Sequence, residues 1–160
     1  MKKIIVILSV ILAIFLVSCD EADGFVTTDY SIDDTASALS IEFPESITYQ
    51  SGSEQELNED FLDYYFGNRE LLVGVDSYVF ITSPTTEVSE VGVFKVTDEA
   101  SRNALLDAFA LRQDNLIQIH TNYSADDLAT SENLKTGYFD DVVYFIATNN
   151  NEKLEAIIKK

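Results

Sequence analysis

The chain carries one cysteine, Cys19, at the end of an apolar run, so the residues after it must fold without a disulfide or a thiolate-held metal. Whatever forms there has to be held by a hydrophobic core. About a hundred residues suffice for that without staples. The run itself has the layout of a secretory signal: Lys2 and Lys3, then an uncharged apolar stretch over residues 4–17. Such signals have an apolar core of about 7–15 residues, whereas a membrane-spanning helix needs about 20.

Leu16-Val17-Ser18-Cys19 resembles the lipobox of bacterial lipoproteins, an apolar residue and two smaller positions before an obligatory cysteine. The resemblance implies that residues 1–18 are a signal peptide, cut before Cys19, and that Cys19 carries a covalent diacylglycerol. The product is then anchored in the lipid bilayer at the extracytoplasmic face of the bacterial cell membrane. One acyl chain holds a protein only marginally, while two or more anchor it at about 0.8 kcal/mol per buried CH₂. The alternatives are an uncleaved signal anchor or a free cysteine in a membrane helix.

With 28 acidic and 10 basic residues the formal net charge is −18, and removal of Lys2 and Lys3 makes it more negative still. Nucleic acid is excluded as a partner, since phosphate binding needs clustered Lys and Arg. Anionic headgroups would repel this surface within a screening length of about 8 Å. Acidity of this kind serves solubility first, and weak divalent-cation binding is the sharper alternative. Residues 20–53, rich in Asp, Ser, Thr and Ala, read as a flexible acidic tether behind the lipidated Cys19, with a coil span of roughly 30–35 Å. Within it, IEFPESITY is an edge strand at best because of its proline. A single domain is expected over residues 54–160.

The domain pattern is helix, strand, strand, helix, short helix, strand, helix. Ser53 with Glu56 suggests a capping box for a helix carrying Leu57 and Phe61, stopped at Gly67. Runs over 75–82 and 88–96, with a proline turn between them, read as an antiparallel hairpin. Thr97 or Asp98 caps about 20 residues of helix formers, and Ser124 with Asp127 forms a second box. A strand over 142–148 precedes a last helix that the cluster Asn149, Asn150, Asn151 can cap. The expected fold class is α+β: a small, mainly antiparallel sheet made of a hairpin plus a later strand, with helices packed on one face.

Glu90-Val-Gly-Val-Phe94-Lys95, followed by a long helix with Arg112 and then by Tyr123, resembles small lipoproteins of Gram-positive anaerobes in the family known as domain of unknown function 4358. The resemblance covers about residues 54–158 and implies a shared fold. Asp140-Asp141-Val142 stands where that family tends to have Gly and Tyr. It implies no chemistry, because the family has no assigned activity.

Arg112 falls inside the apolar stripe of Leu105, Phe109, Leu116 and Ile119. A guanidinium there must snorkel or be paired, with Glu90, Asp126 or Asp127 as partners; the functional alternative is an anion site. His120 is the only histidine, and near a helix end it reads as a complement to the helix dipole. Without Cys it argues against a transition-metal site. Asp126, Asp127, Asp140 and Asp141 are weak calcium candidates, as no run matches a calcium loop. Either Tyr64 or Tyr65 must face outward, and with Tyr123 they are candidates for partner binding. No catalytic constellation and no cofactor site emerge. The reading is a non-catalytic, partner-binding envelope lipoprotein; the alternatives are a small solute- or ion-binding lipoprotein and a carboxylate-based hydrolase.

Overall fold

The computed structural model describes residues 25–160. Among these, five helices and one five-stranded sheet form the expected α+β fold. The strands are β1 (Ile47–Gln50), β2 (Val75–Thr82), β3 (Glu90–Val96), β4 (Lys135–Phe139) and β5 (Val142–Ala147), in the spatial order β1-β2-β3-β5-β4, antiparallel throughout. The register defines two ends. Thr82 lies opposite Glu90, and Glu90 opposite Ala147, at what we term the upper end. Val75 lies opposite Val96, and Val142 opposite Lys95 and Phe139, at the lower end.

Alternate residues of the central strands feed two cores. Phe80, Phe94 and Phe145 point to one face, where α2 (Glu59–Phe66) and α3 (Glu99–His120) cover them with Phe66, Leu105 and Phe109. Val79, Ile81, Val91, Val93 and Ile146 point to the other, under α1 (Ile32–Glu42) and α5 (Asn151–Ile158). The expectation of helices on one face is therefore too narrow: both faces are covered. The cause is visible in β5, whose six residues Val-Val-Tyr-Phe-Ile-Ala are all buried. Strands buried on both faces carry continuous apolar runs and lose the polar alternation of a half-exposed sheet.

The second cover comes from the segment read as a tether, which is a correction for residues 25–53. Ser31 caps α1 by accepting from the Asp34 N–H, and Ile32, Ala36 and Leu39 recur at helical spacing on its buried side. Each large apolar side chain so buried contributes about 1.5–3 kcal/mol. Residues 47–50 then form the edge strand β1 against β2. Residues 19–24, with Cys19, and residues 1–18, read as a signal peptide, lie outside the described residues.

Other elements follow the sequence with local shifts. α2 is capped by Asn58, not by Ser53, whose hydroxyl instead ties a turn by donating to the Gln50 carbonyl (2.8 Å). Gly67, at φ 68°, ends α2 in the left-handed region that favours glycine. Asp98 caps α3, and Ser124 caps α4 (Ala125–Glu132). At α5 the Asn150 side chain makes no cap bond; Asn151 accepts from the Thr148 N–H (3.0 Å) and hydroxyl (3.1 Å). Strand β4 was not anticipated; it joins β5 through the two-residue turn Asp140-Asp141, with Asp140 at φ 47°.

Before α1 the chain wraps the lower end of the sheet. Phe25 packs on the α2–α3 side and Tyr30 on the α1–α5 side. Between them Thr28 donates its N–H (2.9 Å) and hydroxyl (2.6 Å) to the two carboxylate oxygens of Asp141, which is 0% exposed. Tyr30 donates its hydroxyl to the Ile158 carbonyl (2.9 Å). This clamp fixes where the polypeptide leaves the domain on its N-terminal side.

Candidate functional site: an acidic cleft at the upper end

The ends of four segments enclose a cleft of about 440 Å³ at the upper end. Glu42 and Phe43 come from the end of α1, Glu87 to Ser89 from the loop before β3, Asp126, Asp127 and Thr130 from α4, and Thr148 to Asn150 from the β5–α5 connection. Leu154 of α5 adds apolar surface. The cleft adjoins a second depression that shares Asp126, Thr130, Thr148, Asn149 and Asn150 with it and reaches Lys153.

Its walls are held by side chain–backbone bonds. The Ser124 hydroxyl accepts from the Asp127 N–H (3.2 Å) and caps α4, placing Asp126 and Asp127 in the first turn, where the helix dipole favours negative charge. Asp127 Oδ1 in turn accepts from the Val88 N–H (2.9 Å), fastening the β2–β3 loop to α4. The Val88 N–H, aided by the Ser124 hydroxyl and the nearby His120, holds the Asp127 carboxyl below the ordinary carboxylate range. On the floor the Thr130 hydroxyl meets Asn149 Oδ1 at 3.2 Å.

His120 stands behind this wall. It is the last residue of α3, at the helix end the sequence suggests, and it is buried, 6% exposed. The buried stripe of α3 runs Leu105, Phe109, Arg112, Leu116, His120, and Ile119, expected inside it, is 56% exposed. His120 Nδ1 is buried without a hydrogen-bond partner among the described residues, and its nearest charged neighbour is Asp127 Oδ2 at 3.8 Å.

The other singled-out residues are not brought together. Arg112 forks onto Glu90, Nε to Oε2 at 3.1 Å and Nη2 to Oε1 at 2.5 Å, with both residues buried. Its guanidinium also lies 4.3 Å from the Tyr65 ring centroid. The carboxylate-pairing alternative is the one this geometry supports, and an anion site is not, because the fork is occupied from within. Tyr65 is turned inward, stacked on Phe61 (4.0 Å between centroids), and burial pushes its hydroxyl above the ordinary tyrosine range. Tyr64 is the outward member of the pair, 78% exposed, and Tyr123 is 83% exposed. Of the calcium candidates, Asp126 and Asp127 line the cleft, whereas Asp140 and Asp141 lie at the lower end, with Asp141 engaged by Thr28. Among the described residues no group of three or more His, Cys, Asp or Glu side chains is arranged to hold a metal ion.

Sequence reasoning missed Glu42, which lay in the supposed tether, and Glu87, which lay in a loop. The burial of His120 carried a signal, since it continues the step of four from Arg112 through Leu116. In comparisons with known proteins, no family model, no curated protein and no solved structure matches the chain.

Proposed function

We propose that the protein is a lipid-anchored, non-catalytic binding module on the extracytoplasmic face of the bacterial cell membrane, held by an acylated Cys19 with its cleft turned away from the bilayer. The observation that carries this reading is the Thr28–Asp141 clamp. It sets the exit toward Cys19 at the lower end of the sheet, while the cleft opens at the upper end. Residues 20–24 alone separate Cys19 from the first described residue, and that length of chain reaches about 20 Å at most. A tether this short restricts the domain to one broad orientation.

The binding role follows from the concave, polar-lined cleft. A hydrolase acting through carboxylates would need an acid with a raised pKa to donate a proton. The cleft's Asp127 is shifted the other way, and the Nδ1 of the sole histidine meets no hydroxyl nucleophile. Kinship with the domain of unknown function 4358 lipoproteins is part of the proposal. The Glu90 and Arg112 that carry the resemblance form one buried ion pair, which gives such a pattern a structural reason.

The test is metabolic labelling with a fatty acid, followed by membrane fractionation, of the wild-type chain and of Cys19→Ser. The reading requires label and membrane association in the wild type and the loss of both in the variant. Label retained by Cys19→Ser would overturn it.

A further inference from the structure

We propose that the lower end of the domain is a membrane-contact surface, on which Val26, Val73 and Tyr138 enter the interfacial zone of a zwitterionic phospholipid bilayer and Arg102 meets a headgroup phosphate. The inference rests on the Cys19 anchor of the preceding reading and names what that end of the domain touches.

The side chains at this end are linked to one another. Val73, exposed in the loop before β2, has a carbonyl that accepts from the Ser101 hydroxyl (3.3 Å) in the first turn of α3. The next residue, Arg102, lays its guanidinium 4.5 Å from the centroid of the Tyr138 ring. Tyr138 is exposed on β4, two residues before Asp140 of the β4–β5 turn. Val26 is exposed two residues before Thr28, which binds Asp141 of that same turn. Two valines and a tyrosine set against an arginine thus share the end from which the chain leaves toward Cys19. Tyrosine suits the headgroup level, where its ring is half in apolar surroundings and its hydroxyl in polar ones, and arginine can bury its stem there and keep its charge among phosphates. Arg102 has capacity left for one. Its Nη2 donates to Glu99 Oε1 (2.8 Å), whereas Nη1 makes no hydrogen bond among the described residues.

The chain itself decides what covers this patch. Residues 20–24 reach about 20 Å at most, so an acylated Cys19 keeps the bilayer within that distance of Phe25 however the domain tilts. No other partner is held so close to this end. Charge then selects the headgroup. Asp98 is spent on capping α3, Glu99 on Arg102 and Asp141 on Thr28, which leaves Asp29 and Asp140 exposed. Those two repel an anionic headgroup, whereas a zwitterionic one offers its phosphate to Arg102 and its ammonium to them.

The chain contains no tryptophan, so a single one reports its own surroundings. The lipidated full chain is reconstituted into phosphatidylcholine vesicles with and without bromine on the upper part of the acyl chains, as Val73→Trp, Tyr138→Trp or Tyr123→Trp. Tyr123 follows α3, whose 22 residues span about 33 Å from the lower end to the upper. Brominated lipid should lower the emission of Val73→Trp and Tyr138→Trp about twofold and leave that of Tyr123→Trp unchanged. Val26→Asp, added to Tyr138→Trp, should recover most of the lost emission. No quenching at positions 73 and 138, or equal quenching at all three, would overturn the proposal. Blue-shifted emission at position 73 in both kinds of vesicle, without quenching, would also overturn it by giving the patch to a second copy or another protein. Flotation of the same samples separates the two readings: a chain that floats without quenching loses only this inference, and one that does not float with the vesicles loses the anchor as well.

Discussion

Removing the Arg112 guanidinium should cost more stability than removing any exposed charge of this protein, and the loss should be recoverable. Glu90 and Arg112 share two hydrogen bonds in a site where each is more than nine-tenths buried. Arg112→Ala strands the Glu90 carboxylate away from water, a change that costs about 3–5 kcal/mol, and it forfeits the contact with Tyr65, worth about 0.5–1 kcal/mol. The double variant Glu90→Leu/Arg112→Met removes both charges and fills the space with apolar atoms. Such replacements are often neutral or stabilising, so it should lie within about 1–2 kcal/mol of the wild type. Urea denaturation at pH 7 measures both. With a slope of about 1–3 kcal/mol per molar urea, the single variant's midpoint should fall by about 2 M, and the double variant's should return most of the way. An Arg112→Ala cost below about 1 kcal/mol, or a double variant no better than the single, would refute the argument that the two charges exist for each other.

Leu39→Ala, which opens the core beneath α1, should destabilise the whole domain cooperatively by about 2–5 kcal/mol in the same assay; a tether residue would cost nothing. Glu155 is held to a pKa of about 2 by Lys135 first, then by Lys159 and the Tyr144 hydroxyl. A depressed carboxyl stabilises the fold above its unfolded value near 4.5 and loses that contribution as the pH falls toward 2. The full shift corresponds to about 3 kcal/mol, which screening around the half-exposed lysines reduces to about 1–2 kcal/mol. The stability difference between wild type and Glu155→Gln should therefore close between pH 5 and pH 2.5, and a constant gap would contradict it.

Local signals carried the parts of the fold that local physics decides. The hairpin of β2 and β3, the 22-residue α3 behind Asp98 and the Ser124 cap of α4 all declare themselves in windows of a few residues. What escaped is what long-range contacts decide. In α1 only Ile32, Ala36 and Leu39 mark the buried side, scattered among acids and hydroxyls, and the helix is specified by the second face of a sheet formed later in the chain. β4 alternates only weakly, and its Gly137 is explained by the Tyr144 hydroxyl, which would lie 2.3 Å from any Cβ placed there. The cleft is drawn from residues as far apart as Glu42, Glu87, Asp127 and Asn149, so no spacing rule could assemble it. Arg112 was legible because a charge inside an apolar stripe demands a partner, and Glu90 was among the partners it named.

In the proposed arrangement Cys19 holds the domain by the end opposite its cleft. The strands are 4–8 residues long, so in the proposed anchoring the cleft would stand on the order of 20 Å further from the bilayer than the β4–β5 turn. The direct measurement is paramagnetic relaxation of the lipidated protein in vesicles whose headgroups carry a spin label, read at Asp140 and at Ser89. The account predicts strong relaxation at Asp140 and little at Ser89. Equal effects at the two positions, or the reverse order, would contradict it.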